Sequence, residues 1–523
     1  MWEPGKAVLA NDIRRSDGKN YRALANGTTG TIKPVHSVGT KYDGDAGVQW
    51  EFRDPGYGIV RIDTPSGTTA DCTVLKPIPD GAVLVGQAST RWAKSDWYKN
   101  GFPSHVSFFR DRLVFARASD QRLWFSVAGD YESFADRDDG GIFTSDMAAS
   151  IQLTSEQPSE IKWMSPADNL IVGTTGPEFV VGEITRQDVF GPGNIKATPQ
   201  TYFGSTSAAP AKIGSTTFFI QSSGRKVREL SYSLDVDGLA SVDITRLSPR
   251  MIPKSASAIQ LAYQQEPHSI IWITRDDGGL VGFTYNREEN VFGWHRHVMG
   301  GSSAFVESAE CIPESGGNRD EVWLSVKRSI NGTTRHYIEV MQDEWDSSLD
   351  IEDAWFVDCG LKYDGAAATT ISGLDHLEGQ SLSILTDGSA HPARTVTAGA
   401  ITLQQSASVV IAGLSQTATL ATKRIEAGAQ MGTAQSRIKR ISKVWVRFLD
   451  TVGGKAGPTQ TNLQTIAFRR ASDPMGGPVA PFTGDKEVDW RGGYERDGII
   501  WYVNDQPLPC TIISLVPEME TSE

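Results

Sequence analysis

Cysteine is scarce in this chain: Cys72, Cys311, Cys359 and Cys510 stand singly, with no close pair among them. That excludes a zinc knuckle or a disulfide framework, and reduced, partly buried thiols in a protein assembled in the cytosol are expected instead. Long apolar runs are missing as well. No stretch of eighteen apolar residues occurs, and the opening Met1-Trp-Glu-Pro-Gly5 has neither a basic nor an apolar leader, so neither a membrane span nor a cleavable secretion signal is expected. Positive charge is outnumbered, with 50 Lys and Arg against 63 Asp and Glu for a formal net charge of −13. A nonspecific DNA clamp needs a basic surface to release counterions, so any contact with nucleic acid is expected to be a passage rather than an embrace. Catalytic signatures are absent too. There is no Gly-rich phosphate loop ending in Lys-Ser or Lys-Thr, no His-Glu-x-x-His pair and no Gly-x-Ser-x-Gly elbow, which argues against a nucleotide enzyme, a zinc peptidase or an ordinary esterase.

What the chain does have is punctuation. Its 52 Gly and 25 Pro, beside a 39% hydrophobic share, favour many short strands and turns over long helices, so a mainly β protein is expected. Between Arg112 and Met341 a paired-strand unit returns about every fifty residues, the spacing of successive β-propeller blades. The first members are the apolar runs 112–116, 169–173, 216–220, 269–273 and 321–326. Their partners are the aromatic and β-branched runs 123–127, 178–181, 227–232, 280–285 and 336–341. Turn residues such as Asp276-Asp-Gly-Gly279, Ser222-Ser-Gly224 and Asn331-Gly332 separate them, so each pair reads as a hairpin. One hairpin cannot bury its apolar face, whereas several around an axis can.

Composition divides the rest. Residues 1–80 form a small aromatic-rich β module, 81–105 a connection, 106–360 the β-propeller, 361–432 a small β-barrel or sandwich rich in Ala, Thr, Ser and Gly, and 433–523 a C-terminal β domain opening on the basic stretch Arg437–Lys443. Trp2, Tyr21, Trp50 and Tyr57 make the first module similar to chitin-binding types and are candidates for stacking on sugars; the alternative is that the rings are simply the core of a tiny domain.

Other candidates are weaker. His295 and His297, two residues apart on one strand face, form half of a metal site that lacks a third ligand, and the same spacing describes imidazoles bonded to neighbours, so no metal and no cofactor is expected. The carboxylates at Asp136, Asp138 and Asp139, at 343–346 and at 350–353 suit either solvated turns or, if two stood opposed across a cleft, a glycosidase. Arg225, Lys226 and Arg228 form the densest basic turn of the repeat region and are candidates for an inter-subunit contact, or for an exposed charged hairpin.

Several segments resemble one family. Phe102–Ala116 (FPSHVSFFRDRLVFA), Leu123–Phe134 (LWFSVAGDYESF), Gly224–Glu229 (GRKVRE), Leu261–Gln264 (LAYQ), Gly293–His297 (GWHRH) and Gly373–Gly379 (GLDHLEG) occur in an order similar to that of the tail nozzle, or tail tubular protein B, of short-tailed bacteriophages. The similarity runs from about Trp92 to Pro517. It implies a non-enzymatic structural protein of the virion tail, assembled in the host cytoplasm as a homohexamer beneath the portal and the head-to-tail adaptor. An outer β-propeller, nearby tail fibres or spikes, and double-stranded DNA ejected through the lumen without sequence-specific binding are implied with it. Two other classes stay open: a carbohydrate-binding adhesin or receptor-binding tail component, and a depolymerase using paired carboxylates.

Overall fold

The computed structural model describes residues 1–522 except 17–18, 46, 55, 57, 77, 79–96, 98–100, 137–142, 186, 427–432 and 475–476. The described residues are almost entirely strand and turn, arranged in small antiparallel sheets. Contacts group them into two compact units, Met1–Ser223 with Val227–Asp243, and Gly224–Lys226 with Ile244–Glu523.

In the first unit a four-stranded sheet built on Lys19–Ala23 and Gln49–Asp54 opens the chain, followed by a separate hairpin, Ile59–Ser66 with Thr69–Lys76. Three meanders come next. The first comprises His105–Phe109, Arg112–Arg117, Arg122–Phe125 and Ala149–Gln152; the second Ile161–Pro166, Leu170–Thr174, Glu178–Gly182 and Lys196–Thr201; the third Ala211–Ile213, Thr216–Ile220, Val227–Ser233 and Gly238–Asp243. Within each, strands neighbour one another in chain order, the arrangement that short turns impose. Phe109, Val114, Leu123 and Phe125 of the first meander meet Ile161, Leu170, Val172 and Phe179 of the second in one core. Trp163 and Ile171 then meet Phe219 and Leu230 of the third, so both faces of the middle sheet are covered. That explains its strand Leu170–Thr174, buried at every position and apolar without alternation.

The second unit holds a fourth meander, Ala258–Gln264, Ile270–Arg275, Leu280–Asn286 and Val291–His297, and a fifth sheet of three strands, Phe305–Pro313, Asp320–Ile330 and Thr333–Val340. These two share a core of Trp272, Leu280, Val306, Leu324 and Val326. All five hairpins expected from the repeat are formed: Val114 faces Phe125, Ile171 faces Val180, Phe218 faces Glu229, Trp272 faces Gly282 and Ser325 faces Ile338. Beyond them Val357–Ser372 pairs with Ala400–Ser415, itself beside Ser381–Thr386 and Ser389–Thr395. Ala418–Ala421, which composition groups with residues 361–432, pairs instead with Trp501–Asn504 of the C-terminal block. The basic stretch becomes part of the strand Ile438–Thr451, where Lys439 is buried with Nζ donating to the Arg496 carbonyl at 3.3 Å, and Lys443 pairs with Glu487 at 3.2 Å. Among the described residues no helix is long and apolar enough to cross a membrane.

Candidate functional site

A groove of about 500 Å³ lies in the second unit, between the edge strand Thr333–Val340 and the start of the long strand Val357–Ser372. Tyr337 to Gln342 form one wall, Trp355 and Val357 to Gly360 the other, and His297 and His376 reach it from elsewhere in the fold. The second wall is shaped by an irregularity. Asp358 faces Leu414 but the next partners are Leu361 and Ala412, so Cys359 and Gly360 bulge out of the ladder. Cys359 takes φ +50, and a Cβ on Gly360 would stand 2.8 Å from Val357 Cγ2, so glycine is what the bulge admits.

The polar groups here are tied to one another. Arg328, 1% exposed, donates from Nε to the Gly300 carbonyl at 2.9 Å and pairs through both terminal nitrogens with the Glu339 carboxylate, at 3.0 Å for Nη2 to Oε2. Gly300 N–H donates to Asp358 Oδ2. Burial pushes the Asp358 carboxyl above the usual range, opposed by the Gly300 N–H and by Arg328. Burial, with the Glu339 charge, pushes the Cys359 thiol up to about 12, the reverse of an activated nucleophile. His376 Nε2 lies 3.1 Å from the Cys359 carbonyl oxygen, so its ring is bonded to backbone rather than to the thiol.

The histidine pair meets across 2.7 Å, His295 Nδ1 to His297 Nε2, with Trp272 packed against both rings and Thr284 Oγ1 3.1 Å from His295 Nε2. Burial holds both below their ordinary value, His297 at about 4. Neutral imidazoles are metal-competent, but among the described residues no group of three His, Cys, Asp or Glu is placed to hold an ion. The network Asp358–Gly300–Arg328–Glu339 carries no linear signature. Only the glycine after Asp358-Cys359 hints at a bulge.

The other sequence candidates separate. Tyr21 and Trp50 are 0% exposed and offer no ring face to a sugar: Tyr21 Oη donates to the His36 carbonyl at 2.8 Å, and Trp50 Nε1 to Asp43 Oδ2 at 2.8 Å. A small sheet has little else with which to build a core, so the rings go inward. Trp2 is half-buried and donates to the same carboxylate oxygen at 3.1 Å, while Tyr57 lies outside the described residues. Arg225 and Lys226 are exposed. Arg228 is not available to another subunit: it is 7% exposed, its guanidinium sits 3.3 Å over the Phe203 ring, and Nε donates to Gln221 Oε1 at 2.8 Å. Arg225 and Lys226 lie in the turn before the strand Val227–Ser233, whereas Arg228 is inside the strand and buried beside Val227. Of the carboxylates, Asp343 pairs with Arg319 at 2.6 Å, Glu344 with His268 at 2.8 Å and Asp353 with Lys362 at 2.6 Å, while Asp138 and Asp139 lie outside the described residues.

No family model matches this chain, and no curated protein does. Among solved structures, a Lactobacillus plantarum protein is 12% identical over 65% of this chain and 88% of its own, at a TM-score of 0.29. A Bacteroides fragilis protein described as a candidate 6-phosphogluconolactonase is 9% identical over 64% and 97%, at 0.27. The xyloglucan PUL GH43B of Bacteroides ovatus is 9% identical over 79% and 89%, at 0.21. Likenesses this distant carry no argument about this chain's activity.

Proposed function

We propose that this chain is a structural subunit of the tail nozzle of a short-tailed bacteriophage, six copies of which surround a channel for DNA ejection. In this reading the five sheets from His105 to Val340 stand radially as the blades of a β-propeller, the head-to-tail adaptor lies above the ring, and fibres or spikes attach nearby. The observation that carries the reading is that succession of sheets, packed face to face where they neighbour one another within a unit and coinciding with the ordered nozzle-like motifs. Charge supports it. Six copies at −13 would carry about −78, and a lumen sharing part of that charge repels phosphates, so DNA slides without sticking. The groove supports a structural role as well, since its thiol is held protonated and its guanidinium and carboxylates bond one another.

Negative-stain microscopy of the purified protein, alone and with adaptor rings, tests this. Six-fold particles with a central channel are expected. A monodisperse monomer in both preparations would overturn the reading.

A further inference from the structure

Among the open sheet edges of the described residues are those of a two-stranded hairpin and of an edge strand equal in length to the hairpin's strands. The hairpin Ile59–Ser66 with Thr69–Lys76 is a sheet of its own, eight residues to a strand, exposed along residues 59–66 and 69–75. Its two faces differ. Directly opposed residues share a face, so Val60 with Val74 and Ile62 with Cys72 make an apolar stripe. Val60, Ile62 and Val74 are 42%, 57% and 52% exposed. On the other face Arg61 Nε donates to Asp63 Oδ1 at 2.7 Å and Thr73 Oγ1 donates to Asp63 Oδ2 at 2.5 Å, a network suited to water. A ribbon with one knitted polar face and one apolar stripe has a wet side and a side to be covered, and two strands alone are marginal in water.

The other edge is Thr333–Val340, also eight residues. Its sheet has three strands where each of the four meanders before it has four, and this strand is one of its two edges, with Phe305–Pro313 the other. Ile338 stands 71% exposed there, on the side opposite Tyr337, and the groove opens along residues 337–342.

We infer that the hairpin 59–76 of one copy adds to the free edge Thr333–Val340 of a second copy, giving the fifth sheet its fourth strand. Main-chain hydrogen bonds along the edge supply affinity, and the stripe Val60, Ile62, Cys72 and Val74 extends the face that carries Ile338. A second copy is the occupant because donor and acceptor are different patches of one chain, matched in strand length. Such a heterologous contact propagates head to tail and closes into a ring when the rotation permits. The inference rests on the proposed ring only for that closure.

The test uses two full-length chains with different tags, one keeping Cys72 and the other carrying Cys72→Ser with Ile338→Cys, mixed and treated with a short bismaleimide. A link between the differently tagged chains, mapped by mass spectrometry to positions 72 and 338, is expected. In parallel, Val60→Lys with Val74→Lys is expected to weaken assembly tenfold or more by sedimentation, with an unchanged circular dichroism spectrum because both positions are exposed. Mixed assemblies whose links never join positions 72 and 338 overturn the inference. Rings that form without the link and tolerate both lysines overturn it too, while leaving the nozzle reading intact. Linked chains that never close support the contact and count against the ring, and unlinked monomers overturn both.

Discussion

Asp43 is 1% exposed and accepts from Trp2 Nε1, Trp50 Nε1 and the Val48 N–H, so removing its carboxylate strands three donors at once. Asp43→Ala is expected to cost the N-terminal module about 3 kcal/mol or more, read as a lowered midpoint of its tryptophan fluorescence transition. In sequence the aromatic residues of the module suit either a sugar-stacking surface or a core; Tyr21 and Trp50 are buried, and this carboxylate holds Trp50 in that core. For Trp2 the partner lies 41 residues away, which leaves no mark on the local pattern. Burial holds the histidine pair below a surface imidazole. His297 takes up its proton near 4 when folded and near the ordinary 6.5 when unfolded, so its contribution is present above 6.5 and lost as pH falls towards 4. His297→Gln is expected to remove on the order of 2 kcal/mol of that acid sensitivity, measured as the difference in urea midpoint between pH 7 and pH 4.5. Arg328→Met, which leaves the Glu339 carboxylate and the Gly300 carbonyl without their partner, is expected to destabilise the second unit by about 3 kcal/mol, lowering its thermal midpoint.

At the scale of elements, the five hairpins were legible because their strands are apolar and their turns carry the residues a tight turn requires. Asn331 and Gly332 show this, at φ +48 and +73 between Ile330 and Thr333, the left-handed pair of a two-residue hairpin. Gly332→Ala is expected to cost about 1 kcal/mol, visible as faster amide exchange in Thr333–Val340. The flanking strands were not legible. Lys196–Thr201 and Gly238–Asp243 sit at sheet edges, partly exposed, and their sequences KATPQT and GLASVD show neither an apolar run nor clean alternation. The groove was half legible. Of its lining residues only His297 stood out, as half of a metal candidate, whereas Asp358, Arg328 and Glu339 converge from separate strands through a bulge that only Gly360 betrays. Arg228 misled for a related reason: the basic cluster straddles the end of the turn, and its third member falls inside the strand Val227–Ser233, where it is buried.

For the whole molecule, the repeat pointed from the sequence towards a β-rich fold, and identical neighbours are what the nozzle resemblance implies. Composition could not show that Ala418–Ala421 crosses into the C-terminal block, because strand pairing ignores compositional texture. Nor could it show that the fifth sheet stops at three strands. We propose that the hairpin-centred sheets are blades of a wheel repeated around a channel. A cryo-electron density map of the assembled protein, reconstructed without imposed symmetry, tests it most directly. Six copies about an open lumen are expected, with the sheets from His105 to Val340 radiating from a common axis in each. Isolated chains, or sheets stacked without such an axis, would contradict it.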